Sequence, residues 1–311
     1  MHKHDNTIIV HRGALGDFFL AWPALRQLRL SLPHQPAYWH GRSDRLPWLA
    51  PLGIQPCPAP LAAAVDALHT AGPWPSNLER SLVVWFGLSA CAPIRDERLW
   101  YLQGVRPSGA RAAVSVCRNY SLQLEEKGIL RTEDWKSGWR QFLPAWAGPE
   151  AKRLALLFPG AGHRLKQWPL VKFFELADRL ENLGLSPLFV LGPAEAERGL
   201  DTGGRPSVLP EDAVALQGLL LSARMAVGND CGPMHLASRL GVPGVAIFGP
   251  TSRAMWAPEG ITALAAPAGL VPCRPCTLTT RNLRCPDAAC LKAVGVDMVV
   301  RAVEDTLSAS A

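Results

Sequence analysis

Leu154-Ala-Leu-Leu-Phe158, running into Pro159-Gly160-Ala161-Gly162, is the stretch from which the fold is read. Five apolar residues closed by a Pro-Gly turn have the length of a strand buried on both faces. Downstream, Phe173, Phe174, Leu176, Ala177 and Leu180 repeat at helical spacing, which predicts a helix over 170–183. A strand follows over 187–191, a helix over 214–223 and a strand over 225–228; then come a helix over 233–240 and a strand over 242–248. Strands alternating with helices of this length require a parallel sheet covered on both sides. Right-handed crossovers then give a doubly wound, Rossmann-like α/β domain.

The N-terminal half begins the same way. Thr7–Val10 reads as a strand, Gly13–Asp17 as a turn, and Phe18–Leu30 as an amphipathic helix. Further strands are expected at Leu82–Phe86 and Ala112–Val116, while Trp39, Trp48, Trp74 and Trp85, set among prolines, blur the period between. Pro144, Gly148 and Pro149 interrupt the pattern. The expected domains are therefore 1–148 and 149–311, both Rossmann-like, facing a central cleft, with a cysteine-rich loop at 273–290.

Composition narrows the class. The chain has 311 residues, 48% of them apolar and 19% charged, which excludes wholesale disorder. Apolar runs such as 214–227 are broken by Gln217, Ser222 and Arg224 before they reach a membrane-spanning length of ~18 residues. No signal-peptide core follows Met1-His2-Lys3-His4, so a cytoplasmic protein is expected. Arginine supplies 25 of the 32 basic residues, and the net charge is +6. Its planar fork suits phosphate and carboxylate ligands. No basic run marks a nucleic-acid tail.

Four segments carry chemistry. Arg12-Gly-Ala-Leu-Gly16-Asp17 joins a strand to a helix, where unpaired N–H groups could meet a ligand or Asp17 could serve as N-cap. Lys166 precedes Trp168-Pro169 at a helix start, placed either to neutralise a phosphate or to sit solvated in a loop. Asn229-Asp230-Cys-Gly232-Pro-Met-His235 again joins strand to helix. Asp230, Cys231 and His235 do not form a nucleophilic triad, since sequence adjacency is not triad geometry. Gly249-Pro250-Thr251-Ser252 offers amides and hydroxyls to a phosphate, or is a plain turn. Three such segments at one edge of one sheet point to an anionic ligand.

Gly13-Ala-Leu-Gly-Asp17 with Pro23-Ala-Leu25, Lys166-Gln-Trp-Pro169, Asn229–Ala237, Gly241-Val-Pro243, Phe248-Gly-Pro-Thr251 and Trp256-Ala-Pro258 occur in this order over nearly the whole chain. In this the sequence resembles glycosyltransferase family nine, the ADP-heptose:lipopolysaccharide heptosyltransferases. The resemblance implies a GT-B fold and inverting transfer of a sugar, heptose from ADP-heptose, to a lipopolysaccharide core or related lipid-linked glycan. Acceptor would bind the first domain and nucleotide-sugar the second. It implies Asp17 as catalytic base and Lys166 on the donor phosphates. Asp230 would lie near the donor sugar, Gly249, Pro250 and Thr251 along the diphosphate and Glu195 at the ribose, with Gly232 and His235 also binding the donor. Cys231 stands where a threonine is commonest. No cofactor is required for such catalysis. Contact with an anionic membrane surface, at the inner face of the inner membrane, would fit the positive charge.

Cys273-x2-Cys276-x8-Cys285-x4-Cys290 is the remaining motif. Four soft thiolates suit a structural zinc, although the second pair is wider than usual; free thiols or a disulfide are the alternatives. Two rival readings follow from these features: a GT-B sugar-nucleotide epimerase, which should carry more acids and histidines, and a zinc-ribbon nucleic-acid-binding protein. The second would rest on Arg274, Arg281 and Arg284.

Overall fold

A computed structural model describes residues 4–69, 72–88, 94–105, 114–131, 143–149, 153–271, 273, 276 and 285–310. The chain divides into two compact units, Met1–Phe142 and Leu143–Ala311. The division precedes the expected boundary at 148/149. Trp146 accounts for the difference: its backbone N–H donates to Leu240 O at 2.9 Å and its indole Nε1 to Ala223 O at 2.8 Å, which ties this segment to the second unit.

The first unit runs β1 (Asn6–His11), α1 (Leu15–Ser31), β2 (Ala37–Gly41), α2 (Leu46–Leu49), β3 (Ile54–Pro56), α3 (Ala59–Asp66), β4 (Ser81–Gly87), β5 (Leu99–Gln103) and α4 (Val116–Glu126). Its five strands are all parallel, in the order β3-β2-β1-β4-β5. α1 is not amphipathic as expected. It is buried continuously from Phe18 to Leu28, where α4 and the aromatic side chains of neighbouring elements pack against it. Phe18, Phe19, Trp22, Trp39 and Trp48 meet around it with ring centroids 4.9–6.4 Å apart. The strand expected at 112–116 is corrected in part. Residues 112–113 lie outside the described residues, and Val116 opens α4, whose Ser115 cap accepts the Arg118 N–H. β5 takes that place in the sheet instead.

The second unit contains β6 (Leu154–Phe158), α5 (Leu170–Asn182), β7 (Ser186–Val190), α6 (Pro193–Glu197), β8 (Ser207–Val208), α7 (Ala213–Ser222), β9 (Met225–Asn229), α8 (Gly232–Leu240), β10 (Gly244–Phe248), α9 (Arg253–Trp256), β11 (Thr262–Ala265), α10 (Ala289–Lys292) and α11 (Val296–Ala309). Strand order is β11-β10-β9-β6-β7-β8, again all parallel. Counted within the unit this is the 3-2-1-4-5-6 Rossmann order, with the switch of direction between β6 and β9. Ala155, Leu157, Val227, Val245 and Ile247 form one core with Phe173, Leu176 and Leu180 of α5 and Val299 and Val303 of α11. α8 packs on β9 and β10. The central strands β6, β9 and β10 are buried almost end to end, so their sequences are mainly apolar runs without alternation.

Candidate functional site

Ligands of open α/β sheets bind beyond the carboxyl ends of the strands, at the switch point. In the second unit that place is the loop after β6 and the turn after β9. β9 ends at Asn229, and the Asp230 N–H still donates to Ile247 O at 3.0 Å, so the β9–β10 ladder fixes the Asp230 backbone. Its carboxylate is buried and receives two partners on Oδ2: Lys166 Nζ at 2.7 Å and Thr251 Oγ1 at 2.7 Å. His235 Nε2 lies 4.0 Å from Oδ1. Lys166, Asp230, His235 and Thr251 thus converge from the ends of three adjacent strands. The solvated-loop alternative for Lys166 fails, since its side chain is only 16% exposed and ion-paired.

Burial holds His235 down to about 4; the Asp230 carboxylate opposes this, while Arg239 and Lys166 add to it. The imidazole is therefore neutral near pH 7. Desolvation pushes the Cys231 thiol up to about 12, which keeps it a thiol rather than a nucleophile. Gly232 opens α8; Pro233 brings no N–H and the Met234 N–H donates to Cys231 O at 3.2 Å, which leaves the Gly232 N–H at the open end of the helix. Glu195 is buried at the third position of α6, with Oε2 accepting from Gly192 N–H at 3.2 Å. Its carboxylate lies over Gly160, where a Cβ would come within 2.4 Å of Glu195 Cδ, so glycine is required there. Gly249 is likewise pressed on Leu291, and Pro250 O accepts from Cys276 N–H at 2.9 Å.

Asp17 belongs to the first unit, at the third position of α1. It is not the N-cap. Ala14 occupies that position, and Asp17 Oδ2 reaches back to accept the Ala14 N–H at 3.1 Å. Gly13 leaves room for this, since a Cβ there would come within 2.8 Å of Asp17 Cβ. Pro169 is at the cap of α5 rather than inside its first turn.

Cys273, Cys276, Cys285 and Cys290 all lie among the described residues. Cys273, Cys276 and Cys285 are free thiols, and among the described residues no three His, Cys, Asp or Glu side chains are placed to hold an ion. The four cysteines are nonetheless neighbours. Burial pushes Cys276 up to about 11, and Cys273, Cys290 and Cys285 add to the shift. Arg274, Arg281 and Arg284 lie outside the described residues.

Comparison with known proteins adds a lineage to this geometry. The family model of glycosyltransferase family 9 (heptosyltransferase) matches residues 119–283, more than half of the chain. The chain belongs to glycosyltransferase family 9. Lipopolysaccharide heptosyltransferase 1 of Pseudomonas aeruginosa is 32% identical over 150 residues, a match covering 43% of this chain and 41% of that relative. A family 9 glycosyltransferase of Veillonella parvula superposes with a TM-score of 0.69 at 18% identity, covering 100% of this chain and 99% of its own. The E. coli heptosyltransferase WaaC with ADP gives 0.64 at 17%, covering 97% and 99%. The two parallel-sheet units are thus those of GT-B heptosyltransferase structures, and the family 9 membership favours the transferase over the epimerase and nucleic-acid readings.

Asn229 is the residue sequence reasoning missed. It was read only as part of a motif, although a fully buried polar side chain at a strand end must find partners inside the fold.

Proposed function

We propose that this chain is an inverting glycosyltransferase that moves heptose from ADP-heptose to a lipopolysaccharide core or related lipid-linked glycan. The observation that carries the reading is the Lys166–Asp230–Thr251 cluster at the ends of β6, β9 and β10. A diphosphate at the switch point would meet the Lys166 ammonium, the loop that carries Gly249 and Thr251, and the N-terminus of α8. In the reaction the acceptor oxygen forms a bond to the anomeric carbon and gives its proton to Asp17. The bond from that carbon to the diphosphate breaks, its electron pair leaves with ADP, and Lys166 stabilises the charge. Glu195 would accept hydrogen bonds from the ribose hydroxyls, and neutral His235 and Gly232 would line the sugar. With Lys166 supplying the positive charge, no metal cofactor is needed. Turnover is expected to persist in EDTA.

The acceptor places the enzyme at the inner face of the cytoplasmic membrane, held peripherally by its +6 charge. No helix among the described residues is long and apolar enough to cross a membrane. The test is ADP release from ADP-heptose, with and without a lipopolysaccharide-core acceptor. Release only with acceptor supports transfer; release without one, or none with either, overturns it.

A further inference from the structure

We infer that Asn229 is a positioning residue for the donor site, locking both ends of the β6–α5 loop to the end of β9 through one side-chain amide. Its side chain is wholly buried. Oδ1 accepts the backbone N–H of Trp168 at 2.8 Å. Nδ2 donates to Pro159 O at 2.7 Å and more weakly to Gly160 O at 3.4 Å. Those partners fix the amide's orientation, because a flip would set N–H against N–H and oxygen against two carbonyls.

Each anchored segment carries a donor-site group. Trp168 N is two residues from Lys166; Pro159 and Gly160 form the shelf on which the Glu195 carboxylate lies; Asn229 itself precedes Asp230. β6 and β9 already pair up to Phe158 and Gly228, and a Cβ on Gly228 would come within 2.7 Å of Phe158 Cβ. Beyond that last rung the ladder cannot hold the chains, and the Asn229 amide continues it with a side chain. Asparagine suits this because it both donates and accepts at one planar group. Aspartate keeps the Trp168 bond but turns a carboxylate oxygen toward the Pro159 carbonyl.

This inference rests on the donor reading above, and the test separates the two. Asn229→Asp and Asn229→Ala are compared with Val303→Ala, a buried α11 substitution in the same unit. ADP affinity is measured by calorimetry well below each melting temperature, and amide hydrogen exchange is followed at Trp168. Both Asn229 variants are expected to weaken ADP at least about tenfold, equivalent to 1.4 kcal/mol, and Asn229→Ala to lose protection of the Trp168 amide. Val303→Ala should do neither. Wild-type affinity in the Asn229 variants, or an equal loss in Val303→Ala, overturns the positioning role. If wild-type protein does not bind ADP, the donor reading falls and exchange alone judges the clamp. The same holds if the Asn229 variants do not fold. In wild type, segments 159–162, 167–169 and 229–231 should then open with one common free energy; independent opening overturns it.

Discussion

Asp17 is asked to do two jobs that one substitution separates. Its Oδ2 accepts the Ala14 N–H, a bond that asparagine reproduces with its amide oxygen. Asp17→Asn should therefore cost at most about 1 kcal/mol, the share owed to a charge in the first helical turn. An amide cannot take the acceptor's proton, so turnover should fall by roughly 10²-fold or more while ADP affinity holds. Melting temperature, ADP affinity and transfer rate on this one variant check it; full activity would remove Asp17 from the chemistry. Lys166 gives the complementary case. Lys166→Ala should weaken ADP by about 2 kcal/mol, roughly thirtyfold, as expected for a lost hydrogen bond to a charged group. Thr251 still donates to the Asp230 carboxylate in that variant, so the turn after β9 keeps one of its two ties. Calorimetric titration with ADP reads the loss directly.

Trp168 and Lys172 show how elements hold the site in place. Trp168 Nε1 donates to Val294 O at 3.0 Å, and Lys172 Nζ donates to the same carbonyl at 2.8 Å and to Lys292 O at 2.6 Å. The start of α5 thus grips the end of α10 and the turn into α11, and Leu291 of α10 seats Gly249. Lys172→Met keeps the aliphatic stem and removes the ammonium. Val294 O retains the indole, so the cost should be about 1–2 kcal/mol in urea denaturation, with ADP affinity unchanged. A loss of ADP affinity at full stability would mean that Lys172 touches the donor. These elements also mark what the sequence could reveal. β6, α5, β9, α8 and β10 were legible because buried parallel strands are unbroken apolar runs and Pro-Gly turns punctuate them. β2, β3 and β5 were not, since Tyr38, Trp39, Pro56, Trp100 and Tyr101 fit short strands only once neighbours are in place. Amphipathy failed for α1 because α4, distant in sequence, packs against it. At the site, Lys166 and Asp230 could be picked out by residue type, but their ion pair and the Asn229 clamp depend on which strands lie side by side.

Among the described residues each unit buries one histidine beside its candidate site, and this sets an expected acid response. His11 stacks on Trp39 with ring centroids 6.1 Å apart; burial lowers it to about 4, Arg45 adds to the shift, and a hydrogen bond to the Asp17 main chain opposes it. His235 is lowered to about 4 chiefly by burial. Unfolded, both would titrate near 6.5. Between about pH 4 and 6.5 the unfolded chain therefore binds more protons than the folded one, and folded-state stability falls as pH falls. The stabilisation is complete above about 6.5. The decline is steepest in the middle of that window, where the unfolded chain holds nearly one proton more per histidine than the folded one. Because the residues lie in separate compact units, each should govern its own unit. Hydrogen exchange followed from pH 7 to 5 should show amides of both units losing protection. His11→Gln should flatten the trend in residues 4–131 and leave the second unit steep, and His235→Gln should do the reverse. A slope that persists in the unit whose histidine has been replaced would assign the acid sensitivity to its carboxylates instead. Neutral His235 also has one ring N–H to give at pH 7, so donor affinity in the wild type should stay flat above pH 6.5 and change only as the fold loosens below it.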